Sequence, residues 1–73
     1  MTRDQVFNMR LGADIRQRRG DQTQGELARK VGITQASLSN YELGKRDIPL
    51  VTAYRIAQEL DLSLDALLAR AAS

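Results

Sequence analysis

The sequence predicts an all-α fold of five helices and no strand, and three observations carry that expectation. Apolar residues recur at helical spacing in five separate stretches, and strand propensity is low throughout. Residues suited to open a helix (Thr23, Thr34, Pro49, Ser63) and to close one (Gly20, Gly32, Gly44) stand between those stretches. The 73 residues show no composition break, internal repeat or long linker, so residues 1–73 are read as one domain near the lower size limit for folding alone.

The first helix is expected from about Asp4 to Arg19. Phe7, Leu11 and Ile15 repeat there at i, i+4 and i+8, with Val6 and Ala13 beside them, and Gly20-Asp21-Gln22 breaks the pattern. Thr23 opens the second helix as a capping box. Its hydroxyl accepts from the backbone N–H of Glu26, whose carboxylate reaches back to the N–H of Thr23. Leu27, Ala28 and Val31 share one face, and Gly32 follows as the left-handed residue that ends the helix. Ile33 packs back on the turn and Thr34 caps a third helix, residues 34–43. A loop from Gly44 to Ile48 leads to Pro49, which suits the first turn of a fourth helix because its missing N–H costs nothing there. Leu50, Tyr54 and Ala57, with Val51, Ile56 and Leu60, are expected to face inward. Ser63 caps the fifth helix, where Leu64, Leu67 and Leu68 form a stripe. The apolar edge formed by Leu68 with Ala69, Ala71 and Ala72 also suits a dimer contact.

Composition narrows the function classes. With no cysteine and no histidine, disulfides, thiolate metal sites and His-based catalysis are excluded, and no metal or cofactor is expected. There is no phosphate-binding glycine loop. The one carboxylate pair at helical spacing, Asp61 with Asp65, straddles a cap and suits the N-terminal dipole of the fifth helix. An enzyme is therefore not expected, nor is a small-molecule ligand. No apolar run approaches the ~20 residues that span a bilayer, and no signal-peptide core opens the chain. A cytoplasmic protein without a membrane partner is expected.

Net charge is only +2, but residues 1–46 hold nine basic against five acidic side chains and residues 47–73 two against four. Charge alone fits an ordinary solvated surface. The basic half nevertheless contains the second and third helices, as a nucleic-acid footprint requires.

Those two helices and their glycine turn have the dimensions of a helix-turn-helix. On the third helix, Leu38, Tyr41 and Glu42 share one face, while Ala36, Ser39, Asn40 and Leu43 share the opposite one, flanked by Gln35 and Ser37. Gln and Asn can pair bidentately with adenine, and an alanine methyl can lie against the thymine methyl. Ser37 and the free N–H groups of the first turn suit a phosphate.

Here the chain resembles a known family, the lambda-repressor-like (Cro/C1-type, xenobiotic-response-element) helix-turn-helix domains. The matching residues are Ile15-Arg16 and Arg19, then Thr23-Gln24 with Glu26-Leu27-Ala28, Val31-Gly32 and Thr34-Gln35. Leu38-Ser39, Tyr41-Glu42 with Gly44-Lys45-Arg46, Ile56-Ala57 with Leu60, and Ser63-Leu64-Asp65 with Leu67-Leu68 complete the match, over about residues 10–69. Three departures stand out. The turn before Thr23 is short and carries Gln22 where an apolar residue is common, Ala36 replaces a polar reader, and Asp61 replaces the glycine that usually ends the fourth helix.

The resemblance implies a five-helix DNA-binding domain and a small transcriptional regulator, a repressor. It would bind double-stranded DNA as a homodimer on an inverted-repeat operator, with helix 34–43 in the major groove. Gln35, Ala36, Ser39 and Asn40 are the expected base readers. Gln24, Ser37, Lys45 and Arg46 are the expected phosphate contacts, with Arg10, Arg16 and Arg18 adding backbone charge. The family also implies that Gln24 steadies Gln35, and that Arg19 pairs with Glu42 as a structural brace. An antitoxin of the same fold, whose main task is to neutralise a toxin partner, is the alternative.

Overall fold

Residues 1–72 are described by the computed structural model, and their helices begin and end where local side chains satisfy the terminal backbone groups. Ser73, the last residue of the expected 1–73 domain, lies outside the described residues. The helices are α1 (Arg3–Arg19), α2 (Gln24–Val31), α3 (Gln35–Glu42), α4 (Leu50–Glu59) and α5 (Leu64–Ala72), and no strand occurs among the described residues. The five-helix, all-α expectation therefore holds.

The starts of the helices refine that expectation. α1 begins at Arg3 rather than Asp4 because Thr2 and Gln5 form a complete capping box, with reciprocal bonds of 3.1 and 2.8 Å. At α2 only half of the expected box forms. The Thr23 hydroxyl accepts from the Glu26 N–H at 3.1 Å, but the exposed Glu26 carboxylate makes no return bond. Thr34 caps α3 by accepting from the Ser37 N–H at 3.0 Å, and Ser63 caps α5 by accepting from the Ala66 N–H at 3.0 Å. Pro49 sits one residue before α4 rather than in its first turn.

α2 and α4 end in the same hydrogen-bond pattern with different residues. After α2, Gly32 (φ +84°) donates to the Arg29 carbonyl at 3.2 Å and Ile33 donates to that of Ala28 at 3.0 Å. After α4, Asp61 (φ +61°) donates to Gln58 at 3.1 Å and Leu62 to Ala57 at 2.8 Å. This is the double bond pattern of a left-handed helix stop, and Asp61 keeps the glycine geometry despite its Cβ.

The core takes one fully buried large aliphatic side chain from every helix: Ile15, Leu27, Leu38, Ile56 and Leu67. Each such burial stabilises by about 1.5–3 kcal/mol before entropy is subtracted. α1 lies against α5 and α3, α2 against α3 and α4, and α4 against α5.

Where α1 crosses the end of α3, Gly12 is buried. A Cβ there would collide with the Tyr41 carbonyl oxygen and stand 2.5 Å from that of Glu42. Backbone therefore lies on backbone at this crossing. The inward face of α1 is Leu11, Gly12, Asp14 and Ile15, which leaves Ala13 exposed rather than beside the core stripe.

On α4 the expected inward face holds at Ile56, Ala57 and the half-buried Leu60 but not at Leu50, Val51 and Tyr54. Leu50, Val51 and Tyr54 are 70, 60 and 51% exposed, and the buried face is Ala53, Ile56 and Ala57. Ala53 and Ala57 flank Ile56 on that face, and Leu50, Val51 and Tyr54 are turned to solvent. The expected apolar edge on α5 is partly internal. Ala71 is buried and Leu68 packs against the core, leaving Ala69 and Ala72 outside.

Candidate nucleic-acid interface

α2, its left-handed Gly32 and α3 form the helix-turn-helix, and a set of buried polar contacts ties this unit to α1. Glu42 is the centre of that set. Its side chain is 3% exposed and accepts from Arg19 Nε at 2.9 Å and from Arg19 Nη2 at 3.1 Å, a two-pronged pair across 23 residues of sequence. Arg19 Nη1 donates to the Gln22 carbonyl at 2.7 Å, so the short turn before Thr23 is itself held by the same guanidinium. The implied Arg19–Glu42 brace is therefore present despite the shortened turn.

Gln24 joins the same cluster, its Nε2 donating to Glu42 Oε1 at 3.1 Å. The resemblance implied that Gln24 steadies Gln35; here it is bonded to Glu42 instead. Gln35 leans on the neighbouring residue of α2. Its Oε1 lies 3.2 Å from where a Cβ on Gly25 would stand, so any larger residue there would press on the Gln35 amide.

The other expected base readers occupy two settings. Gln35 and Ala36 are exposed at the start of α3, and Asn40 is half-buried one turn further on. Ser39 is also half-buried. It lines a cleft of about 210 Å³ with Arg16, Arg19, Gln24, Glu42 and Leu43, at the meeting of α1, α2 and α3.

The expected phosphate contacts lie at both ends of α3. Ser37 Oγ accepts from the Thr34 hydroxyl at 2.9 Å, which leaves its own proton to donate outward. Lys45 and Arg46 are exposed just past Gly44, where the Lys45 N–H closes the helix end on the Asn40 carbonyl at 2.9 Å.

Sequence reasoning missed several residues that position this surface. Gly12 sets the α1–α3 crossing, and its one signal was a glycine inside an apolar helical stripe, which costs about 1 kcal/mol relative to alanine unless packing requires it. Asp14 is 5% exposed and holds Arg18 Nε at 3.0 Å and Arg70 Nη1 at 3.1 Å, joining α1 to α5. Asn8 donates to Asp47 at 2.6 Å and anchors the loop after α3 to α1. Neither carboxylate stood out, because an acid in a polar-rich stretch reads as solvated. Among the described residues no cluster of three or more acidic side chains could hold a metal ion.

Comparison with known proteins agrees with this geometry. A helix-turn-helix family model matches residues 14–67. Antitoxin HipB of Escherichia coli is 46% identical over 50 residues, which cover 68% of this chain and 56% of HipB. A second HipB, from another strain, is 46% identical over 50 residues and 52% covered. The chain thus spans about half the length of the curated relatives it matches. Among solved structures, the clp gene regulator ClgR from Corynebacterium glutamicum superposes with a TM-score of 0.83 at 28% identity, over 90% of this chain and 72% of that one. A second ClgR structure superposes at 0.82 over 87% of its chain.

Proposed function

The chain belongs to the Cro/C1-type helix-turn-helix family of DNA-binding transcriptional regulators, and from that membership we propose that it is a sequence-specific repressor whose α3 enters the major groove of duplex DNA. The carrying observation is the outer surface of α3. Gln35, Ala36 and Asn40 present two amides and a methyl, Leu38 and Glu42 fix the helix from its inner side, and Thr34 caps its start. Gln35 and Asn40 suit adenine, Ala36 suits the thymine methyl, and Gln24, Ser37, Lys45 and Arg46 hold the flanking phosphates.

The protein binds as a dimer to an inverted repeat. Its extents are 30 × 23 × 22 Å, so two copies fit side by side on half-sites about 34–36 Å apart. The exposed Leu50, Val51 and Tyr54 of α4 give the second copy an apolar surface to meet. Such a protein works where the genome is, in the cytoplasm, with no cofactor. No described helix is long and apolar enough to cross a membrane.

A selection from a random duplex library at near-physiological salt tests this reading. Enrichment of an inverted repeat with half-sites one turn apart is the expected result, and bulk salt-sensitive binding with no enriched sequence would overturn it. On the enriched duplex, Gln35→Ala should lose about 1–3 kcal/mol at one base pair per half-site and little elsewhere. Equal losses on every duplex would instead assign Gln35 to phosphate.

A second reading is favoured by the relation to HipB. In it the same fold also masks a toxin, and the apolar face of α4 is the surface for that protein partner.

A further inference from the structure

We propose that two copies meet on α4 in a two-fold contact in which Tyr54 of each enters a groove of the other, between α1, α4 and α5, and Arg55 pairs with Asp47 at its rim. The inference rests on the dimer reading above. It adds the groove, the ion pair and the register, which together fix how the copies face each other.

Three observations carry it. The first is the groove. Phe7, Leu11, Ile48, Leu50, Ala53 and Leu68 line a space of about 330 Å³, at the lower end of ordinary binding pockets. Asp4, Asn8 and Asp47 complete the lining, so it carries two carboxylates and no base. Neither carboxylate has an ion-pair partner among the described residues, and the side chain of Asp47 accepts only from the neutral Asn8 amide, at 2.6 Å. Lys45 and Arg46 precede Asp47 in the chain, yet neither lines the groove or pairs with it. An apolar floor with unbalanced negative charge at an exposed rim fits an apolar side chain that has a cation beside it.

The second is the occupant, which this chain itself carries. Tyr54 stands half-exposed on α4, and the neighbouring Arg55 is exposed and makes no ion pair among the described residues. The Tyr54 hydroxyl accepts from Gln58 Nε2 at 3.1 Å, which leaves its own proton for a rim carboxylate.

The third is register. In a two-fold contact one patch serves both sides, so a residue before the axis meets one after it. With α4 crossing its copy antiparallel at Val51, residues equally far from Val51 stand opposite each other. Tyr54 then lies over Ile48 of the other copy and Arg55 beside Asp47, twice over, with Val51 on Val51 at the axis. One sequence supplies both halves of the contact at matching distances, which a surface made for an unrelated protein has no reason to do.

The contact also reaches the DNA-binding side. Asp47 belongs to the loop that carries Lys45 and Arg46, and Asn8 ties that loop to α1. A second copy held at Asp47 braces two of the proposed phosphate contacts, so filling one half-site favours filling the other.

The test is binding to the selected inverted repeat and to a single half-site, from which the cooperativity between half-sites is obtained. Wild type should fill the repeat cooperatively. Asp47→Arg and Arg55→Asp each turn two attractions into two repulsions, and each should lower the cooperativity at least about ten-fold. An equal mixture of the two variants should recover most of it, because both pairs re-form with their signs exchanged. The double variant should do the same. Asp47→Asn keeps an acceptor for Asn8 and should lower the cooperativity by a smaller factor, and Tyr54→Ala should lower it with both charges unchanged. Half-site affinities correct for any change in each copy's own hold on DNA, and thermal melts check that the variants, all at exposed positions, are folded. Single reversals that keep wild-type cooperativity, or a mixture as weak as either variant, would overturn the contact. Wild type that fills the half-sites independently would also overturn it, leaving the groove to a protein of another sequence and the DNA reading intact. Absence of sequence-preferring half-site binding would overturn the DNA reading itself. Sedimentation without DNA then decides the contact, which falls if wild type is a monomer at about 1 mM.

Discussion

Replacing Glu42 by alanine should remove a large fraction of the protein's stability rather than merely weaken its contact with DNA. The carboxylate accepts three hydrogen bonds at 2.9–3.1 Å and is 3% exposed, while the Arg19 side chain it pairs with is 16% exposed. Truncation removes the charge and keeps the guanidinium in place, with the Gln22 carbonyl as its one remaining partner. Breaking a buried pair from one side costs about 3–5 kcal/mol, mostly for the charge left behind. Arg19 borders the 210 Å³ cleft, through which water reaches it, so the lower end of that range, about 3 kcal/mol, applies.

A chain of 73 residues has roughly 4–11 kcal/mol of total stability at the usual per-residue values. The loss therefore takes a large fraction of it and lowers Tm by roughly 12–24 °C. The assay is a thermal melt followed by circular dichroism, with DNA binding measured well below the variant's Tm. A melt within about 5 °C of wild type would refute the brace, because a charge that cheaply released was never held by desolvated contacts. The double variant Arg19→Leu, Glu42→Leu separates two roles. It removes both charges, so most stability should return. The Gln24 amide, however, still lacks the acceptor that orients it, and DNA affinity should stay reduced.

Two further substitutions test the backbone geometry by their sign. Gly12→Ala should lower Tm although alanine gains about 1 kcal/mol of helix propensity, because the added methyl meets carbonyl groups of Tyr41 and Glu42 and overpacking costs about 1–3 kcal/mol; a higher Tm would show that the α1–α3 crossing yields. Asp61→Gly should raise stability by about 0.5–1 kcal/mol by relieving a left-handed residue at φ +61°, read by chemical denaturation, and a destabilised variant would show that the Asp61 side chain contributes more than its backbone strain removes.

The parts of the fold that were legible in the sequence are those decided within four or five residues. Thr23, Gly32, Thr34 and Ser63 act on N–H and carbonyl groups of their own turn, so their roles survive without knowledge of the tertiary structure. The Arg19–Glu42 pair spans 23 residues and was legible only through the resemblance to a family. The phase of α4 was only partly legible. Ile56, Ala57 and Leu60 were expected inward and do face the core, but Leu50, Val51 and Tyr54 were assigned inward with them, an arc too wide for one face, and the structure buries Ala53 in their place.

The candidate site divides along the same line. That Ala36 and Asn40 lie away from Leu38 and Glu42 follows from 100° per residue alone, whereas Gln35, seven residues before Glu42, is exposed because it stands in the first turn of α3. Whether Ser39 looks toward bases or toward backbone depends on what stands beside it, and that is set by how α1 crosses α3. Gly12 permits the close crossing, which brings Arg16 and Arg19 alongside Gln24 and Ser39. A wider crossing would pull Arg19 from Glu42, release the Gln24 amide and open Ser39 to solvent. One glycine without a side chain thus governs the setting of four polar residues. Its influence is invisible in a reading that assigns roles by side-chain chemistry, because it acts through the space it leaves.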